Sequence, residues 1–243
     1  MILTFLGTRG EIDARSRLHR RHSVLAVSSG GKTIFVDCGK DWLSTLPTLR
    51  PNAILVTHAH PDHAGGLTHG APCPVYAARE TLRLLPRALD AHVLPRRARR
   101  RVCGLAVEAF PVVHSLRAPA VGYRLTAGRL SLFYVPDVVA IVDERAALAG
   151  VALYIGDGAT ITRPILRRRD NTLIGHCTIR EQLEWCARQR VPRAIFTHCG
   201  SQIVRGDQRT LAALVRRMGR EFGVQARIAH DGMRVVLRQA PSE

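Results

Sequence analysis

The chain has 243 residues, 46% apolar and 23% charged, which fits one globular α/β domain spanning residues 1–243. No run approaches the roughly 18–20 apolar residues of a membrane span, and Met1–Gly10 lacks the features of a secretory leader, so a cytoplasmic protein without membrane association is expected. The net charge of +17 admits nucleic acid as a partner without demanding it, because only Lys32 and Lys40 are lysines in an alanine-rich, arginine-rich chain, a bias genome composition also produces.

In chain order, the β-branched apolar stretches Ile2–Leu6, Val24–Val27, Thr33–Val36 and Ala53–Val56 predict strands, with Ser29, Gly30 and Gly31 turning one hairpin. Ala77–Leu85 and Glu144–Leu148 predict short helices. Val107–Val113, Val121–Leu125 and Leu130–Val135 predict strands, the last two joined around Gly128, and Val151–Ile155 and Ala194–Phe196 predict two more. Apolar residues at helical spacing predict helices over Ile179–Arg188 and Gln208–Glu221. Ala226–Ile228 and Arg234–Leu237 predict a closing hairpin through Asp231 and Gly232. Two basic runs, Arg96–Arg101 and Arg167–Arg169, read as solvated loops or helix ends, the second being the better placed to face a phosphate. The six cysteines show no Cys-x-x-Cys spacing, so packed, reduced thiols are expected.

One stretch carries chemistry on its face. The apolar strand Ala53–Val56 runs into His58, His60, Asp62 and His63, four potential ligands within six residues. His58 and His60 lie two apart in extended chain and can project to one side. Pro61 then turns the chain, and Asp62 and His63 can open a helix that faces the same point. Imidazole and carboxylate together suit zinc, iron or manganese.

With this His-x-His-x-Asp-His pattern intact, the sequence resembles the metallo-β-lactamase fold superfamily. The resemblance implies a four-layered αββα sandwich holding two divalent metal ions, zinc foremost and manganese or iron as alternatives. It further implies that Asp37 supports the metal site from behind, that His114 is the next ligand, and that Asp137 bridges the two ions. The later segments resemble the phosphodiesterase branch, which includes ribonuclease Z. There His230, before Asp231-Gly232, matches the last ligand segment. His198 matches a histidine beside the metals but not bound to them, Asp157 its acidic partner, and His176 the His-Ser-Thr segment before a helix. Two departures stand out. Only 22 residues separate His114 from Asp137, leaving no room for the tRNA-gripping arm of many ribonuclease Z forms. Glu11–His22 also lacks the cysteines of the zinc site in the small phosphodiesterase that opens phosphoribosyl cyclic phosphate.

The resemblance therefore implies one metal on His58, His60 and His114 and a second on Asp62, His63 and His230. Asp62 would contribute to catalysis as well as ligation, and His198, steadied by Asp157, would protonate the leaving oxygen of a cyclic or small phosphodiester. Arg17 and Arg21, or Arg167 and Arg168, are candidates for substrate phosphates. A nuclease, a carboxyl-ester, lactone or thioester hydrolase, and a non-enzymatic metal- or nucleic-acid-binding module are the alternatives. A homodimer is compatible with all of them.

Overall fold

Residues 1–238 are described by a computed structural model. The first half alternates strand and short helix: β1 (Ile2–Gly7), β2 (Val24–Ser29), β3 (Lys32–Val36), α1 (Leu46–Leu49), β4 (Ala53–Val56), α2 (Pro61–Ala64), β5 (Val75–Ala77), α3 (Arg79–Leu82) and β6 (Ala91–Val93). Next come β7 (Arg100–Val102), β8 (Leu105–Val113), β9 (Ala120–Ala127), β10 (Leu130–Tyr134), β11 (Ala140–Ile141), α4 (Glu144–Leu148) and β12 (Leu153–Asp157). The chain ends on β13 (Ile165–Arg169), β14 (Thr172–His176), α5 (Ile179–Arg188), β15 (Arg193–Thr197), α6 (Ser201–Arg205), α7 (Gln208–Glu221), β16 (Gln225–Ile228) and β17 (Arg234–Val236).

Strands β17-β1-β2-β3-β4-β5-β6 form one seven-stranded sheet, and β11-β8-β9-β10-β12-β15-β16, with β7 on β8, form an eight-stranded one. Strand β1 shows why the sheets stack: every second residue, Leu3, Phe5 and Gly7, is buried while its neighbours are half-exposed. Leu3, Phe5, Leu25, Val36 and Leu55 from the first sheet pack against Val107, Tyr123, Leu132 and Ile155 from the second in a shared core. A second core fills the space between the outer face of the large sheet and α5 and α7, through Leu183, Cys186, Val215 and Met218. A third, around Phe35, Trp42, Leu46 and Leu67, covers the outer face of the small sheet. Helices, sheet, sheet and helices make the four layers, as the sequence leads one to expect. The Tyr123 hydroxyl donates to the Val56 carbonyl at 2.7 Å, tying the two sheets together just behind the metal-ligand loop.

Three local expectations fail. The residues Ala77–Leu85 divide, Ala77 ending β5 and only Arg79–Leu82 forming helix, because the apolar run is shared between a buried strand and a short turn of α3. The last two strands do not pair: β16 extends the large sheet beside β15, while β17 crosses to β1 in the small one. Arg167–Arg169 are neither loop nor helix end but strand, in the two-stranded β13–β14 hairpin that stands apart from both sheets. Among the described residues, no helix is long and apolar enough to cross a membrane.

Candidate metal centre

Site residues collect where strands of both sheets end. Asp37 follows β3, His58 lies just past β4, His114 follows β8, Asp137 follows β10, Asp157 is the last residue of β12, and His198 follows β15. His60 caps α2 in an extended conformation and Pro61 occupies its first turn, so the chain reverses and presents Asp62 and His63 back toward His58. Two of these strand ends hold non-glycine residues in the left-handed region, Asp37 at φ 63° and His198 at φ 53°. Such backbone persists only where surrounding contacts fix it, and here it aims both side chains at one point.

Ligand atoms of His58, His60 and His114 lie together, with His58 Nε2 3.0 Å and His114 Nε2 3.3 Å from His60 Nδ1. Three nitrogens at this separation suit a tetrahedral ion with bonds of about 2.0–2.1 Å. Asp62, His63 and His198 form a second set, His198 Nε2 being 2.9 Å and His63 Nε2 3.2 Å from Asp62 Oδ2. Asp137 stands between the sets. Its Oδ2 is 2.5 Å from His63 Nε2 and 3.7 Å from His58 Nε2, and its Oδ1 is 3.3 Å from His198 Nδ1.

Outer partners fix the rings of His58, His63 and His114. Asp37 accepts from His63 Nδ1 at 2.9 Å and from the Thr57 backbone N–H at 2.8 Å, and the Thr57 hydroxyl reaches His58 Nδ1 at 3.0 Å. His114 Nδ1 donates to the Gly175 carbonyl at 2.9 Å, and the Gly175 N–H donates back to the His114 carbonyl at 2.9 Å. Each bond commits the outward nitrogen as donor and leaves Nε2 for the interior. Gly175 has no substitute in that clamp: its φ is +120°, and a Cβ would sit 1.9 Å from the Ile165 carbonyl oxygen.

The chemistry of the donors fits divalent cations. Beyond the close approach of His63 Nε2 to Asp137 Oδ2, these two atoms and His198 Nδ1 are buried without a hydrogen-bond partner, an expense proteins rarely accept without an ion or water to meet it. Burial, then the neighbouring imidazoles, hold His58 well below its ordinary value and His60 down at about 4, which leaves both neutral, as ligation requires. His63 and His198 go the other way. Burial alone would lower them, but Asp62 and Asp137 raise His63, and Asp137, Asp157 and Asp62 raise His198 to about 10. Four buried carboxylates, Asp37, Asp62, Asp137 and Asp157, thus create a demand for positive charge at the centre of the cluster.

His230 is not where the sequence resemblance puts it, and Asp157 partners His176 rather than His198. His230 is exposed, its ring bonded only to the Asp231 carbonyl, and it joins no ligand set. The chain turns toward β17 at that point, and it is His198 that lies beside Asp62 and His63 in the second set. The acidic partner has moved with it. Asp157 Oδ2 accepts from His176 Nδ1 at 2.7 Å, whereas His198 Nδ1 is 3.8 Å away. His176 therefore lies at the edge of the cluster, grouped with His114 and Asp137 and with Asp157 and His198, its Nδ1 2.7 Å from Asp157 and 3.3 Å from Asp137 Oδ1.

These residues open on a cavity of about 580 Å³ lined also by Gly10, Ile12, Thr160, Ile165 and Gln202. None of the arginines expected at substrate lines it. Arg17 is exposed, Arg21 lies 4.5 Å over the Trp42 ring in a separate hollow near Asp41 and Asp231, and Arg167 and Arg168 are on the exposed hairpin. Thr57, Gly175 and Gln182 escape sequence reasoning altogether; Gln182 exchanges two hydrogen bonds of 2.8 Å with the Asp157 backbone, and nothing in its helical position marks that.

Asp157 also accepts the backbone N–H of Val138 at 3.1 Å and of Ala159 at 2.8 Å. Asp157→Ala strands two buried donors, so urea unfolding of the metal-free protein should show a loss of about 2–4 kcal/mol. A loss below about 1 kcal/mol would mean that water replaces the carboxylate.

Buried histidines and aspartates gathered at the strand ends of an αββα sandwich define a metal-dependent hydrolase. The chain belongs to the beta-lactamase superfamily: residues 32–199 match the family model of the beta-lactamase superfamily domain. Among solved structures it is similar to the metallo-beta-lactamase fold protein YhfI from Bacillus subtilis, with 15% identity, a TM-score of 0.73, and coverage of 96% of this chain and 98% of that one. A diphosphatase from the PhnP family superposes at 20% identity and TM-score 0.69 over 98% of both chains. The short form of human tRNase Z does so at 17% identity and TM-score 0.66, over 98% of this chain and 100% of that one. No curated protein sequence matches.

Proposed function

We propose that this protein hydrolyses phosphodiesters with two divalent metal ions, zinc the best fit, held by His58, His60 and His114 on one side and Asp62, His63 and His198 on the other, with Asp137 common to both. When bound, such a pair supplies an activated water nucleophile and positive charge for the phosphoryl oxygens. The observation that carries the reading is His176 on the cavity wall with Asp157 buried behind it. An ester, lactone or thioester hydrolase needs only the ligand sets; a charged imidazole beside them suits a reaction whose leaving alkoxide must be protonated. Burial disfavours the imidazolium of His176, but Asp157 and then Asp137 outweigh it and raise its pKa. Its Nδ1 is committed to Asp157, so Nε2 is the atom that faces substrate and donates the proton.

The test uses leaving groups. His176→Ala should keep its metals and lose about 10²–10⁴-fold in rate on alkyl and ribose diesters, and far less on nitrophenyl diesters, whose phenolate departs unaided. Equal losses on both classes remove His176 as the acid. Turnover of lactones or thioesters but of no diester, in a panel on metal-analysed protein, removes the phosphodiesterase reading itself.

A further inference from the structure

The β13–β14 hairpin rises from the rim of the cavity. At its base Ile165 pairs with His176, and both line the cavity. Because side chains alternate along a strand, Arg167 and Arg169 share the face of Ile165 and His176, while Arg168 shares the other face with Leu166 and its cross-strand partner Leu173. All five residues of β13 are exposed, and among the described residues Arg167, Arg168 and Arg169 make no ion pair, although most exposed ion pairs elsewhere on the chain involve arginine. Among the described residues, no arginine or lysine lines the cavity itself. Cationic side chains thus begin where the cavity ends, on one face of the hairpin, spaced by about 7 Å, two residues of extended chain.

We propose that this hairpin is a binding arm for single-stranded nucleic acid, in which Arg167 and Arg169 hold successive backbone phosphates of a strand whose end enters the cavity. A spacing of two strand residues is comparable to the separation of neighbouring phosphates along a polynucleotide, and guanidinium matches phosphate bidentately. Ile165, half-exposed at the mouth, offers an apolar surface to the base that crosses it. A compact cyclic phosphate would use the cavity alone and leave the arm idle, so the arm selects longer substrates. That selection rests on the proposed phosphodiester hydrolysis; the binding itself does not.

Register supplies the control. Binding of a fluorescein-labelled oligothymidylate of about 15 nucleotides to the metal-loaded protein, followed by anisotropy, should weaken steeply with salt. Arg167→Ala and Arg169→Ala should each weaken it about tenfold and each lower the log–log salt slope by roughly 0.7. Arg168→Ala, equally charged but on the opposite face, should change affinity less than about twofold. Equal losses in all three variants, or none in any, overturn the proposal, since charge without register would then explain the binding or the arm would not contribute. Turnover of a small nitrophenyl diester by the unaltered protein separates the two claims. Register-dependent binding without turnover keeps the arm and removes the phosphodiesterase, and turnover without register-dependent binding does the reverse.

Discussion

Asp137→Ala should empty both metal positions together, taking purified protein from about two ions per chain to less than one and lowering diester turnover by about 10³-fold or more. The reason is its place. One carboxylate oxygen faces His63 and His58, the other faces His198 and His176, and among the described residues no other acidic residue touches both ligand sets. Burial works against its charge, yet His198, His63 and His114 hold it well below the usual carboxylate range. Without it, the imidazoles keep their mutual repulsion and lose the anion that offsets it. Asp137→Asn separates shape from charge: it fills the same volume, and should lose metal nearly as completely if charge is what matters. Elemental analysis after gel filtration reads both variants. Full occupancy with near-normal turnover in Asp137→Ala would end its assignment to both sites.

What the sequence makes legible here is what is local. His58, His60, Asp62 and His63 fall within six residues, and strand, proline and helix start determine their mutual geometry whatever the rest of the chain does. Asp37, His114 and Asp137 are legible through order, each at a strand end. The choice between His198 and His230 is not local. Both follow short strands, β15 and β16, that lie side by side and parallel. The left-handed turn at His198 swings its ring toward Asp62, while the chain beyond β16 leaves for the other sheet. No periodicity encodes either event. The pairing of Asp157 with His176 is hidden for a similar reason, since it depends on the β13–β14 hairpin folding back until Gly175 clamps His114. In that hairpin both faces of β13 are exposed, so the alternation that marks β1 in the sequence has no counterpart among Arg167, Arg168 and Arg169.

The revised ligand set predicts a sharp contrast between two histidines. His198→Ala should bind about one ion per chain instead of two and lose about 10³-fold in diester turnover, whereas His230→Ala should keep both ions and stay within about twofold of the unaltered rate. His198 is buried, with Nε2 on Asp62, Nδ1 aimed at Asp137, and Gly10 packed so closely that a Cβ there would lie 3.0 Å from the ring. Its loss removes one of three protein donors that the Asp62–His63 set does not share with the other ion. His230 is exposed and touches none of them. Unfolding of the metal-free proteins guards against a merely structural effect: a packing histidine would lower the stability of His198→Ala and leave its metal content per folded chain at two. Metal content also separates this prediction from the acid role of His176, whose alanine variant should keep two ions while losing rate selectively on alkyl leaving groups. If His230→Ala instead loses an ion and His198→Ala keeps both, the segment before Asp231-Gly232 must fold inward when metal binds, and the sixth ligand returns to His230.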